Sequence, residues 1–109
     1  MTHAPDLFGD IHAQYTGRLL RAPEVRNKVI DGEGHMVPVL CLDIESDSPM
    51  RLPIHVEQPY PLDHHAQCQA AARRLTKGMH ITVEAPMVGV RLVVANATHI
   101  HPQTTQEAL

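Results

Sequence analysis

Apolar and polar residues alternate in several short segments, and this alternation predicts a chain built mainly of β-strands. Along residues 50–57 and 79–85 the apolar side chains occupy every second position, which is the period of a strand with one buried face. Residues 12–20, 35–45 and 90–101 are rich in β-branched, aromatic and other apolar residues, which favour strands. The pattern therefore predicts five strands.

Residues 62–77 have a different pattern, which predicts one α-helix. They follow a break at residues 58–61, which contain two prolines, and they carry Ala at positions that share a helix face. The helix falls between the third and fourth strands, and this order is that of the OB-fold. The fold class we predict is all-β: an OB-fold, a five-stranded Greek-key barrel with one α-helix between strands 3 and 4.

Glycines add information about where the chain turns or packs closely. Gly17, inside the first predicted strand, indicates a bulge or a close approach of two backbones. Gly78 fits the position after a helix end, where a left-handed residue is favoured. The sequence Asp-Gly-Glu-Gly at residues 31–34 indicates a turn between the first two strands.

The length and composition indicate one globular domain. The chain has 109 residues, of which 43% are hydrophobic and 19% charged. We assign residues 1–10 to a flexible N-terminal arm, residues 11–102 to the OB-fold domain and residues 103–109 to a polar C-terminal tail. The start lacks the basic and apolar regions of a signal peptide, and no apolar stretch approaches the ~18 residues that span a bilayer. We therefore expect a cytoplasmic protein that does not bind a membrane.

Basic residues are concentrated in two parts of the chain, although the formal net charge is −3. One group lies within residues 18–28, and the second, Arg73, Arg74 and Lys77, lies at the end of the predicted helix. The second group has a simple structural explanation, since cations near a helix C-terminus interact favourably with the helix dipole. The first group is the better candidate for contacts with phosphates, which Lys and Arg neutralise.

Motifs of catalysis and metal binding are absent from the sequence. It has no nucleophile elbow, P-loop or dinucleotide-binding fingerprint, so we predict that the chain is not an enzyme and has no catalytic residue and no cofactor. His64, His65 and Cys68 share a helix face, but a structural zinc site needs four ligands, and we predict no metal. Cys41 and Cys68 are interpreted as thiols without a disulfide framework, with Cys41 buried in an apolar run.

Four segments, in their order and spacing, carry a resemblance to a known family. Residues 17–26 follow a G-x-L-x-x-x-P-E-x-R pattern and residues 75–84 follow an L-x-K-G-x-x-x-x-V-E pattern, while residues 34–42 and 90–100 fit two strands of the same family. Over residues 12–102 the chain resembles the single-stranded DNA-binding protein family, including its relative primosomal replication protein N.

The resemblance implies an OB-fold that binds single-stranded DNA, or RNA, in replication, repair or recombination. It also implies a homodimer or homotetramer and contacts with replication proteins, and residues 36–42 or 90–97 would suit β-sheet extension. The family stacks bases on aromatic side chains of its second and third strands, which this chain lacks, so we expect binding mainly through basic residues. The candidate nucleic-acid-binding residues are Arg18, Arg21, Arg26, Lys28, Arg51, His55, Tyr60 and Arg91.

Each group of candidates also has a purely structural explanation. Arg26 would pair with Glu24 or Asp31 on a solvated edge, and exposed pairs of this kind contribute little. His55 would be an ordinary surface residue, and Tyr60, between two prolines, would cover the open end of the barrel. The missing aromatics and the negative net charge favour a second function, an OB-fold protein-interaction or assembly subunit that has lost nucleic-acid binding.

Overall fold

Five β-strands and one α-helix form the regular structure of the described part of the chain, for which we use a computed structural model. The structure describes residues 11–29 and 32–103. The predicted arm, residues 1–10, and residues 104–109 of the predicted tail lie outside the described residues. The elements are β1 (His12–Leu19), β2 (Glu24–Val29), β3 (Met36–Ser46), β4 (Pro53–Pro59), α1 (His65–Arg73) and β5 (His80–Pro86), followed by a 3-10 turn at Met87–Gly89.

The strands form one antiparallel sheet organised around β3, which at 11 residues is the longest strand. β2 pairs with one edge of β3 from Met36 to Cys41, and β1 pairs with the same edge from Ile44 to Ser46. β4 pairs with the opposite edge of β3, and β5 pairs with β1. β2 and β1 therefore lie one after the other along one edge of β3, β5 lies beyond β1, and β4 lies along the opposite edge of β3.

Strand alternation divides the side chains of β3 between two faces, which we call the inner face and the outer face. The inner-face cluster consists of Leu19, Leu40, Leu42, Ile44 and Cys68. The outer-face cluster consists of Val37, Val39 and Cys41. Because β3 is buried on both faces, its sequence is an almost continuous apolar run instead of a clean alternation.

Helix α1 covers part of the inner face. Its Cys68 side chain is fully buried in the inner-face cluster, and Ala71, Ala72 and Leu75 pack against the same cluster. In the described part of the chain, no helix is long and apolar enough to cross a membrane. The position of the helix, between the third and fourth predicted strands, is confirmed.

The helix is shorter than the predicted range 62–77, since it ends at Arg73. After it, backbone hydrogen bonds draw the chain towards β1. The Leu19 N–H donates to the Met79 carbonyl over 2.9 Å, and the Gly78 N–H donates to the Leu19 carbonyl over 2.8 Å. Gly78 has a φ of 88° and serves this turn into β5. The sequence indicated that Gly78 directly follows the helix end, and this is wrong because the helix ends at Arg73.

The close approach predicted at Gly17 is confirmed. Gly17 lies opposite Ser46, where β1 leaves its pairing with β3. A Cβ atom built on Gly17 would lie 2.1 Å from the backbone oxygen of Glu45. Only a residue without a side chain permits this contact, which brings β1 against the end of β3.

The predicted set of strands needs two corrections, although the mostly β architecture is confirmed. Residues 24–29 form β2, a strand that the prediction lacked. Residues 90–101, predicted as the fifth strand, form no strand, because the chain leaves the sheet at the Met87–Gly89 turn. Within the described residues the sheet is therefore not closed into a barrel, and β4 and β5 each keep one unpaired edge.

Candidate nucleic-acid interface

Charged side chains surround the apolar stripe on the outer face of the sheet. Strand register places the alternate residues of β2 and β4 beside the outer-face residues of β3. On one side of Cys41 lies Glu24 of β2, and on the other side lies Glu57 of β4. His55 lies opposite Asp43. The β2 residues on this face are Glu24, Arg26 and Lys28, and the β4 residues include His55 and Glu57.

The Lys28 ammonium group and the Glu57 carboxylate form an ion pair. Lys28 belongs to β2 and Glu57 to β4, so the pair spans β3, which lies between the two strands. The long side-chain stems lie over the outer-face stripe, where Val39 is only 2% and Cys41 only 6% exposed. Burial in turn raises the pKa of the Cys41 thiol. The stripe is thus covered by charged residues instead of by aromatic rings.

His55 lies between two carboxylates. Its Nδ1 is 2.9 Å from Asp43 Oδ1 and its Nε2 is 2.8 Å from Glu57 Oε2. Both ring nitrogens donate at the same time only in the imidazolium form, and the bonds to Asp43 and then Glu57 raise the pKa of His55 above its usual value. The bonds from Lys28 and then His55 lower the pKa of Glu57. The three groups therefore form one charged network.

Two arginines of the predicted site are also paired with acids. The Arg26 Nη2 lies 2.6 Å from Glu24 Oε2, and its Nε donates to the same oxygen over 2.9 Å. Arg21 lies in the loop after β1, with its Nε 3.7 Å from Asp43 Oδ2. The sequence alternative for Arg26, pairing with Glu24, is confirmed. Arg21, Arg26 and Glu24 are more than half exposed and Asp43 is 31% exposed, so these pairs are weak and exchangeable.

Arg18 and Arg51 lie at a shallow cleft near the β3–β4 turn. The cleft has a volume of about 450 Å³ and is lined by Arg18, Glu45, Ser46, Asp47 and Arg51. Arg51 is in the turn with a φ of 49°, and its N–H donates to the Ser48 carbonyl over 2.8 Å. Among the described residues, neither arginine forms an ion pair. Both guanidinium groups are exposed and available to an anion.

The acids at this cleft are not equivalent. Asp47 Oδ2 lies 2.5 Å from His80 Nε2, so this carboxylate already has a partner on β5. Glu45 lies directly opposite Arg18 in the pairing of β3 with β1. Arg18 is also opposite His80 in the pairing of β1 with β5. The cleft therefore continues the outer face from β3 to β5.

Two predicted site residues do not lie on the outer face. Tyr60 packs against the inner-face cluster, and its N–H donates to the Pro38 carbonyl over 2.9 Å. The tyrosine thus belongs to the inner face, whereas the alternative of covering the open end of a barrel has no counterpart in a sheet that is not closed within the described residues. Arg91 lies in the exposed segment after β5, which belongs to no sheet. Six of the eight candidates, Arg18, Arg21, Arg26, Lys28, Arg51 and His55, thus lie at or beside one face.

A group of potential metal ligands also lies on the outer face. The nearest donor atoms of Cys41, His55 and Glu57 are within 4.8 Å of one another. Sequence spacing did not reveal this group, because its members lie on two strands that only the register brings together. Glu57 is already bonded to two cationic partners, Lys28 and His55. We therefore assign the group to the ion-pair network.

The predicted helical cluster is not assembled by the fold. Cys68 is fully buried in the core, whereas His65 is exposed. His64 precedes the helix and has no side-chain capping bond. The two imidazoles and the thiol therefore lie in different environments.

Comparison with known proteins adds no assignment, since no family model, no curated protein and no solved structure matches the chain. The resemblance noted in the sequence therefore stays a prediction that rests on the quoted segments alone. The outer face has to be interpreted from its own residues.

Proposed function

We propose that the chain binds single-stranded nucleic acid, DNA or RNA, on the outer face of its sheet, and that it acts in replication, repair or recombination. One observation carries this proposal. Arg18 and Arg51, which have no ion pair among the described residues, line a cleft on the face that also bears Arg26, Lys28 and His55. A row of cations on one exposed surface is the electrostatic requirement for following a phosphate backbone.

The ion pairs on this face are compatible with phosphate binding. Arg26 and Glu24 are each more than half exposed, so water and salt screen this pair and it contributes little to stability. A phosphate displaces a carboxylate from an arginine at little cost, and the released carboxylate returns to water. We therefore place the first phosphate contacts at Arg18 and Arg51, and the following contacts at the paired cations Arg21, Arg26 and Lys28.

Base recognition is weak in this proposal. The outer-face stripe consists of aliphatic residues and Cys41, and the planar ring that the described residues place beside it, His55, is held by Asp43 and Glu57. Without an aromatic platform among the described residues, this face forgoes the stacking contribution of roughly 1–3 kcal/mol per base. Binding then depends strongly on salt and little on base sequence.

The test is a titration of fluorescein-labelled oligo-dT, followed by anisotropy at several salt concentrations. We expect the Arg18→Ala/Arg51→Ala variant to bind more weakly. The slope of log K against log salt should also become shallower by about 0.7 for each phosphate that the variant no longer neutralises. A matching titration with oligo-U compares RNA with DNA.

The matched control is Arg73→Ala/Arg74→Ala, which removes the same charge from the exposed end of α1. It should change the affinity less and leave the slope closer to that of the wild type. Equal losses of affinity in the two variants would mean that only the net charge matters. No binding to either oligonucleotide at low salt would rule out the proposal.

The ion-pair network also supports a second function, that of an assembly subunit without nucleic-acid binding. Glu24, Asp43 and Glu57 neutralise the cations beside them, and this arrangement does not attract a polyanion from a distance. In this case oligonucleotide binding is absent at all salt concentrations, while self-association or binding to a protein partner persists.

A further inference from the structure

The segment of residues 90–101, which we call the C-terminal segment, pairs with no strand in the described part of the chain and exposes several large apolar side chains. Leu92 is 90%, Val93 82%, Val94 74% and Ile100 88% exposed. In the described chain, backbone hydrogen bonding between this segment and the rest is limited to Val90, whose N–H donates to the Met87 carbonyl. Such an apolar patch on a soluble protein marks an interaction surface.

The sheet has two edges that match this segment. Within residues 11–29 and 32–103, β4 is paired only with β3, and β5 only with β1, so each keeps one edge with free backbone groups. Ile54 and Val56 of β4, and Ile81 and Val83 of β5, pack against the inner-face cluster but are only partly buried. Unpaired edges beside a partly covered core favour the addition of a strand.

The residue pattern of the C-terminal segment is that of such a strand. Val90, Leu92 and Val94 occupy alternate positions, which place them on one face of an extended chain. Arg91 and Val93 occupy the other face. A strand of this pattern covers a core with one face and meets solvent or a neighbouring surface with the other.

The turn after β5 directs the segment away from its own sheet. The Met87 N–H donates to the Ile11 carbonyl over 2.8 Å, which extends the pairing of β5 with β1 by one residue. The Met87–Gly89 turn follows, and the chain then leaves the sheet. The segment is thus released from its own molecule, while the edges it matches stay open.

We propose that the C-terminal segment of each chain adds as a strand to the open edges of β4 and β5 in a second copy, which returns its own segment in the same way. Each copy carries both the C-terminal segment and the open edges that this segment fits. A reciprocal exchange therefore covers the segment and the edges of both copies. An exchange of identical elements is also self-complementary, and therefore closes as a two-fold dimer.

This exchange identifies which surface of the chain makes the dimer. The alternative surface for sheet extension is residues 36–42 of β3. Within it, β2 and β4 pair with both sides of Val39 to Cys41, so these residues have no backbone groups left for another strand. The proposal does not depend on nucleic-acid binding, because it uses different residues from the outer face.

The first experiment measures mass by sedimentation velocity over a range of concentrations. We expect the full chain to be a dimer, and Leu92→Asp/Val94→Asp to raise the dissociation constant at least about 30-fold, as is typical of interface anchors. The matched control, Val93→Asp/Ala95→Asp, adds the same charge to the opposite face of the segment and should have a smaller effect. A monomer at all concentrations overturns the proposal, as does a dimer that both variants leave unchanged.

The second experiment identifies where the segment binds. Labelled (¹³C) and unlabelled chains are unfolded, mixed and refolded, and contacts between copies are detected by isotope-filtered NOE spectroscopy. We expect contacts from the methyl groups of Leu92 and Val94 to those of Val56 and Val83 of the other copy. If these contacts occur only within one chain, the segment closes its own sheet, and the exchange is wrong.

Discussion

Lys28 on β2 and Glu57 on β4 form an ion pair across β3, directly above the outer-face stripe. The same Glu57 carboxylate also accepts a hydrogen bond from His55, and His55 in turn donates to Asp43. Three strands are thereby joined by one network of alternating charges. This network covers buried apolar residues, and it also controls which cations of the proposed site are available to phosphate.

Removing the Glu57 charge should strengthen nucleic-acid binding. In Glu57→Gln, Lys28 loses its carboxylate partner and becomes available to a phosphate, so we expect tighter binding of oligo-dT at low salt. The slope of log K against log salt should steepen by about 0.7, as for one additional neutralised phosphate. Anisotropy titrations at four or more salt concentrations give this slope.

The control for this variant is Asp63→Asn, which changes the net charge equally in the exposed turn before α1. It should leave the slope as in the wild type. If Asp63→Asn and Glu57→Gln steepen the slope to the same extent, Lys28 does not contact phosphate, and the effect is one of net charge alone.

The contribution of this network to folding stability should be greatest in mildly acidic solution. Asp43 and Glu57 raise the pKa of His55 from 6.5. The stability that charged His55 adds to the folded state is therefore complete below pH 6.5, and it is lost as the pH rises through the pKa of the folded protein. Lys28 and His55 lower the pKa of Glu57 from 4.5. The stability that the Glu57 carboxylate adds to the folded state is therefore complete above pH 4.5, and it is lost as the pH falls through the pKa of the folded protein.

Urea unfolding across the pH range measures this effect. The contribution of the network should be complete between pH 4.5 and 6.5. In His55→Asn the loss of stability on the alkaline side should be smaller than in the wild type. The comparison variant is His65→Asn, an exposed position on α1, which should keep the wild-type profile. Identical profiles for all three proteins contradict the assignment of this loss to His55.

The Gly17 contact with β3 should make this glycine difficult to replace. In Gly17→Ala the new methyl group would lie 2.1 Å from the Glu45 carbonyl oxygen and 2.8 Å from its carbon. Both are backbone atoms, so the strands must move apart. We expect a loss of about 1–3 kcal/mol in the free energy of unfolding, measured by urea denaturation.

Gly89→Ala is the control for the Gly17 variant. A Cβ atom on Gly89 would have no atom within 4 Å, so the change in stability should stay within about 0.5 kcal/mol. A Gly17→Ala protein as stable as Gly89→Ala would show that β1 and β3 separate at this point without cost.

Much of the fold was predictable because local patterns agree with tertiary burial. The alternation in residues 79–85 corresponds to β5 (His80–Pro86), whose inward residues reach the core. β2 was missed because most of its residues are charged or polar, and its strand state depends on pairing with β3. Residues 90–101 have the pattern of a strand, but a pattern does not specify which edge the strand pairs with.

The cations of the outer face could be picked out in the sequence, but most of their partners could not. Arg26 and Glu24 are two residues apart, and the sequence suggested that pair. Lys28 and Glu57 are 29 residues apart, and His55 and Asp43 belong to different strands. Such partners depend on strand register, which short-range sequence spacing does not determine.

The two thiols should differ in how they become accessible. Burial raises the pKa of both Cys41 and Cys68, so little reactive thiolate forms at neutral pH. Cys41 is 6% exposed under the Lys28–Glu57 pair, whereas Cys68 is 0% exposed between α1 and the sheet. Rotation of two surface side chains uncovers Cys41, but Cys68 requires α1 to leave the sheet.

A thiol-specific reagent such as DTNB, read by mass spectrometry after proteolysis, should therefore modify Cys41 before Cys68 in the native protein. Glu57→Ala should accelerate the modification of Cys41 and leave that of Cys68 unchanged, because it removes part of the cover over Cys41 alone. If both thiols react at one rate that follows the global stability, they are exposed only by complete unfolding, and the ion pair does not act as a separate cover over β3.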